Sequence, residues 1–75
     1  MKQDRFKLRV LNEMDEKEEQ HPEIELLYVL EGFMEVDKEE TISHMKENDV
    51  LLINTNEKHQ LRGSKDILYM QIMIS

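Results

Sequence analysis

The sequence predicts an all-β domain, a small barrel or sandwich of about seven short antiparallel strands. Three observations predict it. Apolar and polar residues alternate with period two in several short stretches. Turn signals punctuate the chain at a spacing of roughly eight to twelve residues. No stretch carries the longer period of an amphipathic helix.

The first strand is Phe6 to Leu11, where Phe6, Leu8 and Val10 alternate with Lys7 and Arg9 as in a half-buried strand. Residues 12–20, NEMDEKEEQ, hold too few apolar side chains to bury a face, which predicts a solvated loop. Pro22 blocks any helix running through it. Glu23 to Leu30, EIELLYVL, is the clearest strand. Ile24, Leu26, Tyr28 and Leu30 share one face, and Glu23, Glu25, Leu27 and Val29 share the other. Glu31-Gly32 signals a turn, from which Phe33 to Val36 is expected to return as a hairpin partner.

The charged cluster Asp37 to Glu40 closes the next turn, and Thr41 to Met45 follows as a strand on which His44 is expected to be exposed. In the turn Lys46 to Asp49, Asp49 is placed to accept nearby backbone N–H groups. Val50 to Ile53, four branched aliphatics, is expected to be buried on both faces. A polar loop, Asn54 to Lys58, leads to a short strand at His59 to Leu61, a turn at Gly63-Ser64 and a last long strand at Ile67 to Ile74. The only aromatics, Phe6, Tyr28, Phe33 and Tyr69, are expected in the core.

Composition narrows the function. At 75 residues the chain is a single domain with a thin core, so association with a second copy or with further chain is expected. With no cysteine there are neither disulfides nor thiolate metal sites. Ten basic residues stand against 17 acidic ones, a net charge of -7 that repels phosphate and excludes direct nucleic-acid contact by this segment. No apolar run approaches the roughly 18 residues of a membrane span, and Met1 to Arg9 is charged rather than signal-like, so a cytoplasmic location is expected. Ser43, Ser64 and Ser75 lie in no nucleophile-elbow context and there is no Gly-rich phosphate loop, so no nucleophilic catalytic set emerges. The final segment ILYMQIMIS stays apolar to its end, which leads us to expect further chain beyond Ser75.

Two segments carry a resemblance. HPEIELLYVLEG, residues 21–32, and MKENDVLLINTNEKHQL, residues 45–61, resemble the two cupin motifs as they occur in AraC-type transcription regulators. The first family pattern is His-x-His, three or four residues, Glu, six residues, Gly. Glu25 and Gly32 keep that last spacing, His21 takes the second histidine position, and Glu19 stands where the first histidine is usual. In the second motif Asn48-Asp49 replaces Gly-Asp, Thr55 stands where proline is usual, and His59 matches the closing histidine.

The resemblance implies a cupin-like, jelly-roll-type barrel over residues 1–75, serving as the effector-sensing and dimerising domain of a regulator rather than as an enzyme. DNA would be bound by a C-terminal helix-turn-helix domain that these residues lack. It also implies a pocket formed by His21, Glu25, Leu27 and His59 that takes a small polar effector. His21, Glu25 and His59 form the ligand set for a divalent metal if one is held, with Glu19 as a fourth ligand should the acidic loop reach over. Three matching positions of four are typical of members that keep the scaffold without the metal, so a pocket without cofactor is the first expectation. The alternative is a stand-alone metal-dependent cupin, an isomerase or dioxygenase. If His21 and Glu25 face the barrel, Leu27 and Val29 go with them and Ile24, Leu26, Tyr28 and Leu30 face outward. That outward stripe needs a cover, from the N-terminal and final strands in a second sheet, from further chain, or from the other subunit of a homodimer.

Overall fold

A computed structural model describes residues 5–75, so the first four residues of the charged start lie outside the described residues. Seven strands follow in chain order: β1 (Phe6–Leu11), β2 (Ile24–Glu31), β3 (Met34–Lys38), β4 (Ile42–Met45), β5 (Val50–Ile53), β6 (His59–Gly63) and β7 (Leu68–Ile74). They form an antiparallel four-stranded sheet in the order β1-β7-β2-β5 and an antiparallel three-stranded sheet in the order β4-β3-β6. Among the described residues there is no helix long and apolar enough to cross a membrane.

The core lies between the sheets. Leu27, Val29, Ile53 and Tyr69 from one sheet meet Met34, Val36, Met45 and Leu61 from the other, and Ile67 closes the end. Residues 12–20 form the expected loop, with Met14 packed against this cluster.

The expected β2–β3 hairpin does not form. At Gly32 the chain leaves one sheet for the other, so β2 pairs with β5 and β7, and β3 with β4 and β6. Gly32 has φ 85°, and a Cβ there would lie 2.6 Å from Ser64 Oγ and 2.9 Å from Asp66 Oδ1. Only glycine suits both the left-handed backbone and that approach. Asn48, with φ 73°, and Asn56, with φ 58°, occupy further left-handed corners, which asparagine tolerates better than most residues with a side chain. Asp49, beside Asn48, accepts the Lys46 N–H at 2.9 Å, as its position in the turn predicts.

Burial differs from expectation on the four-stranded sheet. β5 is buried on one face only, because among the described residues only the inner face of this sheet has a second layer against it: Val50 and Leu52 are exposed, while Ile53 is buried. β1 alternates as read but is not half-buried, since Phe6, Leu8 and Val10 all face solvent. Of the aromatics only Tyr69 is in the core. Phe6 and Phe33 are exposed, and Tyr28 is half-buried on the outer face, because branched aliphatics and methionine already fill the space between the sheets.

β1 and β7 join the same sheet as β2, so they widen the outward apolar stripe of Ile24, Leu26 and Tyr28 rather than cover it. Leu30 falls at a bulge between Val29 and Glu31 and leaves the ladder. Cross-strand register arranges the outer residues in three rows. Leu8, Ile72, Leu26 and Leu52 make the middle row; Phe6, Ile74 and Ile24 flank it on one side, and Val10, Met70, Tyr28 and Val50 on the other.

Candidate metal centre

The inner face of the same sheet is where polar chemistry gathers. On β2 the alternation that turns Leu26 outward turns Glu25 inward, and the Glu25 side chain is 1% exposed. His21, four residues earlier on the same parity, sits 17% exposed at the rim with its Nε2 3.1 Å from Glu25 Oε1. His59 opens β6 in the opposite sheet, and its Nε2 lies 3.4 Å from the same Glu25 oxygen with only 1% of its side chain exposed. The two rings meet edge to face with centroids 4.9 Å apart. His21, Glu25 and His59 thus converge. Leu27 continues the same face one step deeper, fully buried among the core residues. His44 is exposed on β4, 3.6 Å from Glu35, and takes no part.

The acidic loop does reach over. Glu19 pairs with His59 through two backbone hydrogen bonds, Glu19 N–H donating to His59 O at 2.8 Å and His59 N–H to Glu19 O at 3.0 Å. Its carboxylate comes within 4.0 Å of His59 Nε2, and Glu19, His21 and His59 each place a ligand atom within 4.8 Å of the others. The rim is tied down nearby by Gln20 Nε2 donating to Asn56 O and Asn56 N–H donating to His21 O.

Two residues that sequence reading did not assign complete the site. Gln71 on β7 donates from Nε2 to Glu25 Oε2 at 2.7 Å, and its Oε1 accepts from Arg9 Nη2 at 2.7 Å and Nε at 3.2 Å. Gln71 is buried, and the Arg9–Gln71–Glu25 chain crosses three strands of the inner face. A signal was present: Gln71 is the only polar residue between Ile67 and Ile74 apart from the Tyr69 hydroxyl. A buried amide in an apolar strand needs partners.

Each imidazole lies between two acceptors. His21 has the Glu23 carbonyl 3.2 Å from Nδ1 and the Glu25 carboxylate at Nε2; His59 has the Glu57 carbonyl 2.8 Å from Nδ1 and the same carboxylate at Nε2. A neutral ring owns one N–H, so it can satisfy only one of its two neighbours. For His59 the short contact places that hydrogen on Nδ1. Its Nε2 is then a bare lone pair, sealed from solvent, facing carboxylate oxygen and without a hydrogen-bond partner. Such an arrangement is costly unless positive charge sits among the acceptors. Imidazole and carboxylate donors suit zinc, manganese, iron or nickel, and Nδ1–H donation to a backbone carbonyl is how metal-binding histidines are commonly oriented. The residues fit a divalent cation.

The turn that delivers His59 is itself braced. Asn54 N–H donates to Glu57 Oε1 at 3.0 Å, which with Lys38 Nζ at 3.5 Å holds the Glu57 carboxyl below its ordinary range. Beside the cradle opens a cleft of about 470 Å³, lined in part by Arg9, Glu13, Asp15, Glu19, Tyr69 and Gln71. It is of the size that takes a small molecule.

The comparisons with known proteins agree with this architecture. Residues 10–73 match the cupin domain. No curated protein matches the sequence. Among solved structures, protein NMB1881 from Neisseria meningitidis superposes with a TM-score of 0.81 at 18% identity, over 100% of this chain and 79% of its own. A cupin-2 domain containing protein from Shewanella frigidimarina gives 0.84 at 13% identity, over 100% and 76%. The iron(II) form of HppE gives 0.76 at 15% identity, over 93% and 43%. With a family match across most of its length and seven strands in the matching arrangement, the chain belongs to the cupin domain family.

Proposed function

We propose that this domain holds a divalent metal on His21, Glu25 and His59, with Glu19 at the rim, and uses it to bind and transform a small polar molecule in the adjoining cleft. The observation that carries the reading is the buried Nε2 of His59, which has no hydrogen-bond partner and lies 3.4 Å from the Glu25 carboxylate. A bound metal of this class supplies Lewis acidity to a coordinated oxygen. The chain's own residues do the rest. Gln71 fixes the Glu25 carboxylate from behind, leaving Oε1 turned toward the imidazoles. Arg9, held by Gln71 at the edge of the cleft, offers donors to a ligand oxygen, and Glu13, Asp15 and Glu19 offer acceptors. Burial of Glu25 and His59 keeps water from the inner side of the cradle.

A chelator-free preparation analysed for metal, then titrated with zinc, manganese and iron(II), tests this. Tight binding near one ion per chain, lost in His59→Ala and Glu25→Ala, supports it. A chain that takes up none of the three ions contradicts it.

A second reading rests on the wording of residues 21–32 and 45–61: the same pocket serves as the effector-sensing domain of an AraC-type regulator. A melting temperature raised by a sugar or other polar metabolite that is recovered unchanged supports sensing, whereas turnover of the ligand supports catalysis. Helix-turn-helix coding sequence downstream of Ser75 would support the regulator.

A further inference from the structure

Three basic side chains succeed one another on the inner side of β1. Phe6, Leu8 and Val10 face outward, so Arg5, Lys7 and Arg9 share the side of the sheet that carries the cradle, about 7 Å apart along the strand. In a chain with a net charge of -7, Lys17, Lys38, Lys46 and Arg62 each have a carboxylate at 3.5–3.8 Å. Among the described residues no carboxylate comes within ion-pair distance of Arg5, Lys7 or Arg9. Like charges gathered without a counter-charge repel one another and attract an anion.

The three line a cleft of about 210 Å³ together with Met73, Ser75 and Glu23. Register fixes where it lies. Lys7, Met73 and Glu25 stand opposite one another on β1, β7 and β2, so the Lys7 backbone is two strand spacings, about 10 Å, from that of the cradle carboxylate. Arg9 is already oriented, because Nη2 and Nε both donate to Gln71 Oε1, and its Nη1 has no hydrogen-bond partner among the described residues. Glu23, the acidic residue of this cleft, has its carboxylate 3.6 Å from His21 Nδ1, toward the cradle. Arg9 also lines the larger cleft beside the cradle and is the one residue the two clefts share.

We propose that this basic cleft is an anion subsite. The small molecule that the domain takes carries a carboxylate or phosphate group, held by Arg9 and Lys7 with Arg5 at the outer end, while another of its oxygens reaches the metal. The second of these contacts rests on the metal reading; the first does not. A guanidinium edge matches the paired oxygens of either group, and Lys7 adds a mobile point charge. A volume of about 210 Å³ takes one such group, and the acidic surface around it turns away a polyanion or an anionic membrane. Gln71 binds Arg9 on one side and Glu25 on the other, which sets the separation of the two ends. The substrate class that fits is a hydroxy acid, or a phosphate monoester bearing a hydroxyl.

The chain has three arginines, Arg5, Arg9 and Arg62, so a nitrogen–proton NMR spectrum carries three Nε–Hε signals that single variants assign. Metal-free protein is titrated at constant ionic strength with inorganic phosphate and, separately, with malonate. Saturable movement of the Arg9 and Arg5 signals is expected, with that of Arg62, paired to Glu35 on the other sheet, in place. Tighter phosphate binding names a phosphate group and tighter malonate binding a carboxylate; either supports the subsite. Lys7→Gln, at an exposed position without a contact to Gln71, is expected to weaken the tighter anion about tenfold, the scale of one charge-assisted contact. Arg9→Gln is expected to weaken it further, and Arg62→Gln to leave it unchanged.

In zinc-loaded protein, glycerol phosphate or malate is expected still to move the Arg9 signal. An Arg9 signal that responds without zinc but falls silent with it would show that the anion goes to the metal, and overturns the shared ligand. Arginine signals that none of the anions moves, or that move alike at Arg9 and Arg62, overturn the subsite even where zinc is bound. Anion binding at Arg9 in a chain that takes up no metal supports the subsite and removes the metal reading alone.

Discussion

The two faces of the four-stranded sheet share one backbone and differ in almost everything else. Inward, β2 presents Glu25, Leu27 and Val29, each essentially sealed from solvent; outward, one residue along, it presents Ile24, Leu26 and Tyr28, half-buried. The inward face carries a buried carboxylate and a buried amide, with the His21 imidazole at its rim and the His59 imidazole facing it from the other sheet, while the solvent face carries three rows of apolar side chains. This inverts the usual economy of a soluble protein, in which buried charge is rare and exposed apolar side chains are scattered singly. A small domain keeps such an inversion when each face meets something else. On the reading proposed above, the polar interior answers to a bound cation.

The comparison predicts unequal responses to the same deletion. Leu27→Ala, in the sealed core, is expected to cost about 2–5 kcal/mol by chemical denaturation. Leu8→Ala, exposed on the outer face, is expected to change stability by less than about 0.5 kcal/mol. Equal losses at the two sites would mean that the outer face is already covered within one chain.

A smaller effect tests the polar side. Gln71→Leu removes the donor to Glu25 Oε2 and releases Arg9, and is expected to weaken metal binding by about 10–100-fold, as loss of an outer-shell partner does. Zinc titration of the variant against the wild type measures it. Unchanged affinity would show that the carboxylate needs no such support.

The smallest effect is a pH limb. Burial, reinforced by the Glu25 carboxylate, raises the Tyr69 hydroxyl above its ordinary value of 10. The folded state therefore keeps a proton in alkali that the unfolded chain releases, so this stabilisation is full below pH 10 and is lost as pH rises through the folded value. In a Tyr28→Phe background Tyr69 is the sole tyrosine, and its phenolate absorbance is expected to rise at higher pH in the wild-type site than with Glu25→Gln.

Strand positions and side-chain parity were legible because both follow from local alternation. β1 and β5 begin and end as read, and Glu25, Leu27 and Val29 face inward together. Pairing was not legible. Glu31-Gly32 has the same appearance whether the chain folds back on itself or crosses to another sheet, and the crossing is fixed by Ser64 and Asp66, some thirty residues away. The burial of Val50 to Ile53 differs for a related reason: four aliphatics fit a strand sealed on both sides, but β5 lies in a sheet that is covered on its inner face alone among the described residues. His21, Glu25 and His59 could be chosen through the cupin resemblance. Arg9 and Gln71 join them only through cross-strand register, which spans 62 residues of sequence.

The central claim is that His59 presents an unprotonated Nε2 to Glu25 as part of a metal cradle. Long-range nitrogen–proton correlation NMR of the imidazoles reads this directly. The account predicts the proton on Nδ1 of His59 in metal-free protein, and a large shift of the Nε2 resonance on adding an equimolar amount of zinc. A proton found on Nε2, or an Nε2 resonance that zinc does not move, would contradict it.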